Sequence, residues 1–204
     1  MLHIAHAVAN APGAGHDRVA IVRQPHLTTV IVADGSSGTS GAAEAAELTI
    51  REVTALVTSS SASGLLDWCT ILEHTDRAVT AGRGQCAVAI AGIARGTVTG
   101  ASVGDCCVWL LTYDGINDLT ESQFRKPLLG AGRSVPVGFG TSLGGTLLVA
   151  SDGLWKYVQR NRIAAIAREP RLETAVQRLV ETCRLPSGDL QDDVSVVLCR
   201  DETA

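Results

Sequence analysis

Three aspartate positions in this chain fall where an apolar run stops. Asp34 closes Thr29-Val30-Ile31-Val32-Ala33-Asp34-Gly35, and Asp152 closes Leu147-Leu148-Val149-Ala150-Ser151-Asp152-Gly153. Asp192-Asp193 opens Val194-Ser195-Val196-Val197-Leu198-Cys199. A strand end is a rigid place to hang a carboxylate, and carboxylates that converge repel one another unless a cation lies between them. Hard divalent cations such as Mg²⁺ and Mn²⁺ take carboxylate, carbonyl and water oxygens, so the pattern points to metal-dependent hydrolytic chemistry. The competing explanation is plain turn formation, since Asp and Gly after a strand both tolerate unusual backbone angles. One Asp-Gly would be explained that way. Two such corners and an Asp-Asp in one short chain leave both explanations standing.

The elements that must position these residues come in blocks. Residues 4–8, 17–22 and 29–33 read as strands separated by Pro, Gly and Asn. Ala42, Ala45, Ala46, Thr49, Ile50, Val53, Leu56 and Val57 recur at three- and four-residue steps, the stripe of an amphipathic helix. A Ser-rich break over 58–64 precedes a weaker helix through Leu65, Leu66, Cys69, Leu72 and Val79. Residues 86–94, 97–103 and 106–112 read as strands joined by the hairpin signals Arg95-Gly96 and Gly104-Asp105. Residues 121–142 read as a loop and 146–150 as a strand. Helices near 163–167 and 172–183 and a strand over 194–199 complete the chain. Strand blocks and helix blocks that do not alternate one for one predict α+β layers and exclude a doubly wound parallel sheet.

Composition narrows the function class. Hydrophobic residues make up 46% of the 204 but aromatics only 3%, so the core must be built from Ala, Val, Leu and Ile. That length suits one domain spanning residues 1–204, and neither an internal repeat nor a linker interrupts it. A formal net charge of −4 argues against a broad basic nucleic-acid surface. The absence of a long apolar run argues against membrane insertion, and Met1-Leu2-His3-Ile4-Ala5-His6 lacks the features of a secretion signal. The expected location is the cytoplasm. Cys69, Cys86, Cys106, Cys107, Cys183 and Cys199 show no Cys-x-x-Cys spacing and no activating base, so they read as reduced, buried packing residues. Cys106 and Cys107, adjacent in a strand, should face opposite ways.

Taken in order, the motifs resemble the metal-dependent protein phosphatases, the PPM or type 2C serine/threonine family, in its compact bacterial form. Val32-Ala33-Asp34-Gly35-Ser36-Ser37-Gly38 is similar to that family's Asp-Gly-x-Gly-Gly segment. Gly84-Gln85-Cys86 is similar to its Gly-Thr-Thr strand start, and Val103-Gly104-Asp105 to its Gly-Asp-Ser-Arg corner. Ser151-Asp152-Gly153-Leu154-Trp155 matches its Ser-Asp-Gly-Leu-Trp motif, and Asp192-Asp193-Val194-Ser195 resembles its final Asp-Asn-x-Thr.

The resemblance implies an αββα sandwich of two mainly antiparallel sheets flanked by helices. It implies two divalent cations, Mn²⁺ or Mg²⁺, bridged by Asp34 and held by the Gly35 carbonyl, Asp152 and Asp192. Asp17 would stand near the metals, and Asp105 where some members hold a third ion. Such an ion pair, about 3.5–4 Å apart, activates a water for in-line attack on phosphorus and needs no covalent intermediate. The implied substrate is a phosphoserine or phosphothreonine protein, dephosphorylated in opposition to a Ser/Thr kinase as part of signalling. The oligomeric state is not implied.

The sequence also departs from the family pattern. Ser36 replaces the usual His or Met and is a poor general acid at neutral pH, which leaves metal-bound water to protonate the leaving group, with His16, beside Asp17, as a candidate substitute that also reads as a structural or exposed histidine. Cys106-Cys107 replaces Ser-Arg, and Asp193 replaces Asn and is a candidate extra ligand. Arg18 is the candidate substrate-binding cation. Two other functions fit the same residues: a phosphatase-like binding module with little or no activity, and a phosphohydrolase of small metabolites. The Gly-rich stretch 35–41 suggests a phosphate cradle but lacks the Gly-Lys-Ser/Thr ending of a P-loop.

Overall fold

The computed structural model describes residues 1–36, 40–60 and 66–201. The chain begins with β1 (Leu2–Ala9), β2 (Asp17–Arg23) and β3 (Thr28–Gly35), followed by α1 (Ala42–Ser59) and α2 (Trp68–Thr80). Then come β4 (Cys86–Ala94), β5 (Thr97–Val103), β6 (Cys107–Leu111), β7 (Ile116–Asp118), β8 (Val137–Ser142) and β9 (Thr146–Ala150). Three helices, α3 (Asp152–Trp155), α4 (Arg160–Ala167) and α5 (Leu172–Thr182), precede β10 (Val194–Asp201). Two five-stranded antiparallel sheets result, one in the order β1-β10-β9-β6-β7 and the other β2-β3-β4-β5-β8. The expected α+β sandwich is the fold observed.

Strand alternation creates three apolar layers. In β3, Val30 and Val32 enter the layer between the sheets, while Ile31 and Ala33 pack under α1 and α2. In β9, Leu147 and Val149 face the other sheet, while Leu148 and Ala150 pack under α3, α4 and α5. These period-two patterns are buried on both faces, which is why the strands read as continuous apolar runs. Cys106 and Cys107 do face opposite ways, the first between the sheets and the second toward α3–α5. The α1 stripe is buried at Ala42, Ala45, Ala46, Thr49, Val53 and Val57. Asp67 caps α2, accepting hydrogen bonds from the Cys69 and Thr70 backbone N–H groups at 3.1 Å each. Leu65 and positions 61–64 of the Ser-rich break lie outside the described residues.

Two expectations need correction, and one short strand was not foreseen. The stretch 121–142 is not all loop, because β8 pairs along the edge of β5. Its Gly138 and Gly140 hid the alternation. Phe139 supplies its main packing, with ring atoms 2.4 Å from where a Cβ on Gly100 would stand, a space that only glycine leaves free. Gly104-Asp105 is not a hairpin either, since β5 and β6 belong to different sheets and this corner carries the chain from one to the other. The three-residue β7 gave no sequence signal, being too short to show a period.

Candidate metal centre

Antiparallel order brings five chain positions to one end of the sandwich: the start of β2, the end of β3, the β5–β6 corner, the end of β9 and the start of β10. Asp17 pairs directly opposite Asp34 in the β2–β3 ladder, so the two side chains share a face. That face is the one that carries Val30 and Val32 into the inter-sheet layer. The apolar stripe therefore ends in carboxylates at the mouth of the sandwich. One carboxylate oxygen from each of Asp34, Asp105 and Asp152 lies within 4.8 Å of the other two.

The two Asp-Gly corners have a reason other than turn geometry. Neither Gly35 nor Gly153 has a positive φ. A Cβ on Gly35 would stand 2.3 Å from the Ala42 carbonyl oxygen at the start of α1, and one on Gly153 would stand 1.9 Å from the Asp193 carbonyl oxygen. In each corner glycine allows another segment, the start of α1 at Gly35 and the lead into β10 at Gly153, to close onto the strand end beside the preceding aspartate.

The electrostatics follow from this crowding. Burial first, then the charges of Asp17, Asp152, Asp105 and Asp192, pushes the Asp34 carboxyl up to about 9. Asp17, 2% exposed, is raised to about 7, chiefly by burial, with Asp193 and Asp192 adding repulsion. The nearby Ser151 and Ser195 hydroxyls favour its charged form only in part. Neither oxygen of Asp17 has a hydrogen-bond partner of good geometry among the described residues. Burial and neighbouring carboxylates also raise Asp152 and Asp192. Crowded carboxyls pushed up by burial and mutual repulsion, with both Asp17 oxygens lacking a partner among the described residues, are the donor set a hard divalent cation fits.

Other candidates take more specific places. Asp192 stands beside the trio, its Oδ1 accepting from the Asp193 N–H at 3.1 Å. Asp193, 4% exposed, accepts from the backbone N–H of Ala11 at 2.8 Å, Gly15 at 2.8 Å and His16 at 2.5 Å. Its carboxylate thus anchors the loop before Asp17, a use that the extra-ligand expectation did not foresee. Arg18 folds back on the same loop, its Nη1 donating to the carbonyls of Gly15 at 2.9 Å and Asp17 at 2.8 Å. Gly35 donates its N–H to the His16 carbonyl at 3.3 Å, tying His16 to the end of β3. Positions 37–39, including Ser37 and Gly38 of the Gly-rich stretch, lie outside the described residues.

Three neighbours of the centre were not among the sequence candidates. Lys156 Nζ lies 3.2 Å from Asp152 Oδ2 and 3.8 Å from Asp192 Oδ2. Its i,i+4 spacing from Asp152 was the available signal. The Trp155 indole N–H donates to the Asp105 carbonyl at 3.1 Å. Arg125 lies over the Trp155 ring, 5.4 Å from its centroid, and had no local signal at all. All six cysteines are free. Burial pushes the Cys86 and Cys199 thiols up to about 12 and raises Cys106 and Cys107 as well, the reverse of an activated nucleophile.

No protein-family profile and no curated protein sequence matches the chain. Solved structures do. A serine/threonine phosphatase of S. agalactiae superimposes with a TM-score of 0.86 at 18% identity, covering 99% of this chain and 100% of that one. Serine/threonine phosphatase Stp1 from Staphylococcus aureus gives 0.83 at 17% identity, covering 99% and 96%. The catalytic domain of serine threonine protein phosphatase PstP, in complex with 2 manganese ions, gives 0.77 at 16% identity, covering 98% and 97%. Over nearly its whole length, the chain has the fold of the PPM-type bacterial serine/threonine phosphatases.

Proposed function

We propose that this protein is a metal-dependent serine/threonine phosphatase whose phosphatase domain spans residues 1–204. The observation that carries the reading is the convergence of Asp34, Asp105 and Asp152 beside the orphaned, buried Asp17. Asp34, the Gly35 carbonyl, Asp152 and Asp192 would hold two divalent cations, Mn²⁺ or Mg²⁺, with Asp105 available to the same ions or to a third. Bound there, the ions supply charge neutralisation for the phosphoryl group and activation of water. The chain's own part is rigid placement. Strand ends fix the carboxylates, Gly35 and Gly153 admit the close approaches, and Asp193 and Arg18 hold the loop that carries Asp17.

The PstP neighbour in complex with manganese supports the choice of ion, and the near-complete overlap with phosphatase chains supports a single domain. A phosphorylated protein substrate, a Ser/Thr kinase in opposition, a role in signalling and a cytoplasmic setting belong to the same proposal. It includes neither nucleic acid nor a membrane, and among the described residues no helix is long and apolar enough to cross a bilayer. The test is hydrolysis of p-nitrophenyl phosphate, then of phosphoserine and phosphothreonine peptides, with Mn²⁺ or Mg²⁺ and with chelator. Turnover that requires the metal and is lost in Asp34→Ala and Asp152→Ala is the expected result. Full activity in either variant, or in excess chelator, overturns the proposal.

A further inference from the structure

The metal centre is flanked by a cavity of about 180 Å³, lined among others by Asp105, Trp109, Asp118, Arg125, Trp155 and Arg160. Its two arginines are differently committed. Arg160 donates to Asp118 Oδ2 at 3.0 Å and stacks on the Trp109 ring at 4.9 Å. Arg125 has no carboxylate within ion-pair distance among the described residues and rests instead on Trp155. That platform is fixed, because the Trp155 indole N–H is tied to the Asp105 carbonyl. The other nearby cations are engaged, Lys156 with Asp152 and Asp192 and Arg18 Nη1 with loop carbonyls.

An anionic substrate approaching this end of the sandwich meets a cluster of aspartates that repels it. A guanidinium without its own carboxylate, held over an aromatic ring beside Asp105, offsets that repulsion. Its planar fork matches two oxygens of a phosphate group. Stacking restricts the side chain in advance, so less conformational freedom is lost when the anion arrives. We propose that Arg125 binds the phosphate group of the phosphomonoester substrate and that Trp155 is its positioning residue.

The inference rests on the phosphatase reading, and its test separates the two. Inorganic phosphate is titrated calorimetrically into the Mg²⁺-loaded protein, and KM and kcat for p-nitrophenyl phosphate are measured on the same preparations. Arg125→Ala should weaken phosphate binding and raise KM about tenfold, with kcat changing less. Arg125→Lys keeps the charge but loses the fork and should fall between. Trp155→Leu should raise KM with Arg125 still present, and a parallel Mg²⁺ titration separates this effect from any disturbance of Asp105. Wild-type turnover with unchanged phosphate affinity in Arg125→Ala overturns the inference and leaves the phosphatase reading intact. Phosphate binding that depends on Arg125 without turnover does the opposite. A wild-type protein that neither binds phosphate nor turns over overturns both.

Discussion

Asp34→Asn offers a sharp test of how the carboxylate cluster is held. In the metal-free fold the Asp34 carboxyl is raised to about 9, with burial as the first cause and Asp17 as the next. An acid whose folded pKa lies above its unfolded value binds its proton more tightly when folded. Its stabilising effect is complete below the unfolded value of 3.8 and is lost as pH rises toward about 9. Over the roughly three pH units from pH 4 to pH 7 the unfolded chain ionises this one carboxyl while the folded chain keeps its proton. At about 1.4 kcal/mol per unit this costs the wild type about 4 kcal/mol. Asparagine matches the protonated acid in shape and has no charge to regain on unfolding. The metal-free variant should therefore equal the wild type near pH 4 and exceed it by up to about 4 kcal/mol at pH 7. For a chain of this size that corresponds to a rise in Tm on the order of 10 °C. Urea and thermal unfolding in chelator at several pH values measure the difference. Excess Mn²⁺ should narrow the difference. A ligand at a hundred times its Kd stabilises the folded wild type by about 2.7 kcal/mol, and the Asp34→Asn variant forfeits that gain. A stability difference that does not change with pH, or an Asp34→Asn variant weaker than wild type in chelator at pH 7, would refute the reasoning.

Asp193→Ala should cost about 3–5 kcal/mol in urea unfolding, because three backbone N–H groups lose a charged acceptor, and Asp193→Asn should recover part of it. Lys156→Gln should tighten Mn²⁺ binding by about two- to fivefold in calorimetry at low salt and by less at high salt. The ammonium competes for Asp152 and Asp192, and a half-exposed ion pair of this kind contributes only about 0.2–1 kcal/mol. Under native conditions iodoacetamide should reach Cys69 first, the only cysteine that is not buried, and metal-dependent turnover should survive; loss of activity on alkylation of Cys69 alone would be incompatible with a site built from oxygen ligands.

The aspartate corners were legible because each depends on local facts: an apolar run, a strand end and a glycine. What the sequence could not display was the third dimension of those corners. Gly104-Asp105 looks like a hairpin turn in one dimension, yet it crosses between sheets and sets Asp105 against Asp34 and Asp152. Asp105 thereby joins the trio, while Asp192, ranked above it on resemblance, stands beside Lys156 at the rim. Asp193 looked like added charge. Its acceptors are satisfied by backbone groups some 180 positions away in the chain, a relation no local pattern carries. Arg125 sits in an exposed loop where only the tertiary position of Trp155 makes it distinct.

The same alternation that builds the core also builds the site. In β3 the even positions Val30 and Val32 pack between the sheets, and Asp34 is the next member of that series at the open end. Asp17 follows the same rule at the start of β2, whose Val19 and Ile21 line the inter-sheet layer. A slip of β3 by one residue would expel the valines from the layer and turn Asp34 toward the helices, so core and carboxylates fix the register together. Crowded acids alone would favour unfolding at neutral pH. The fold tolerates them because the apolar residues that aim them are buried on both faces of β3 and β9, with Val19 and Ile21 of β2 half-buried against the same layer.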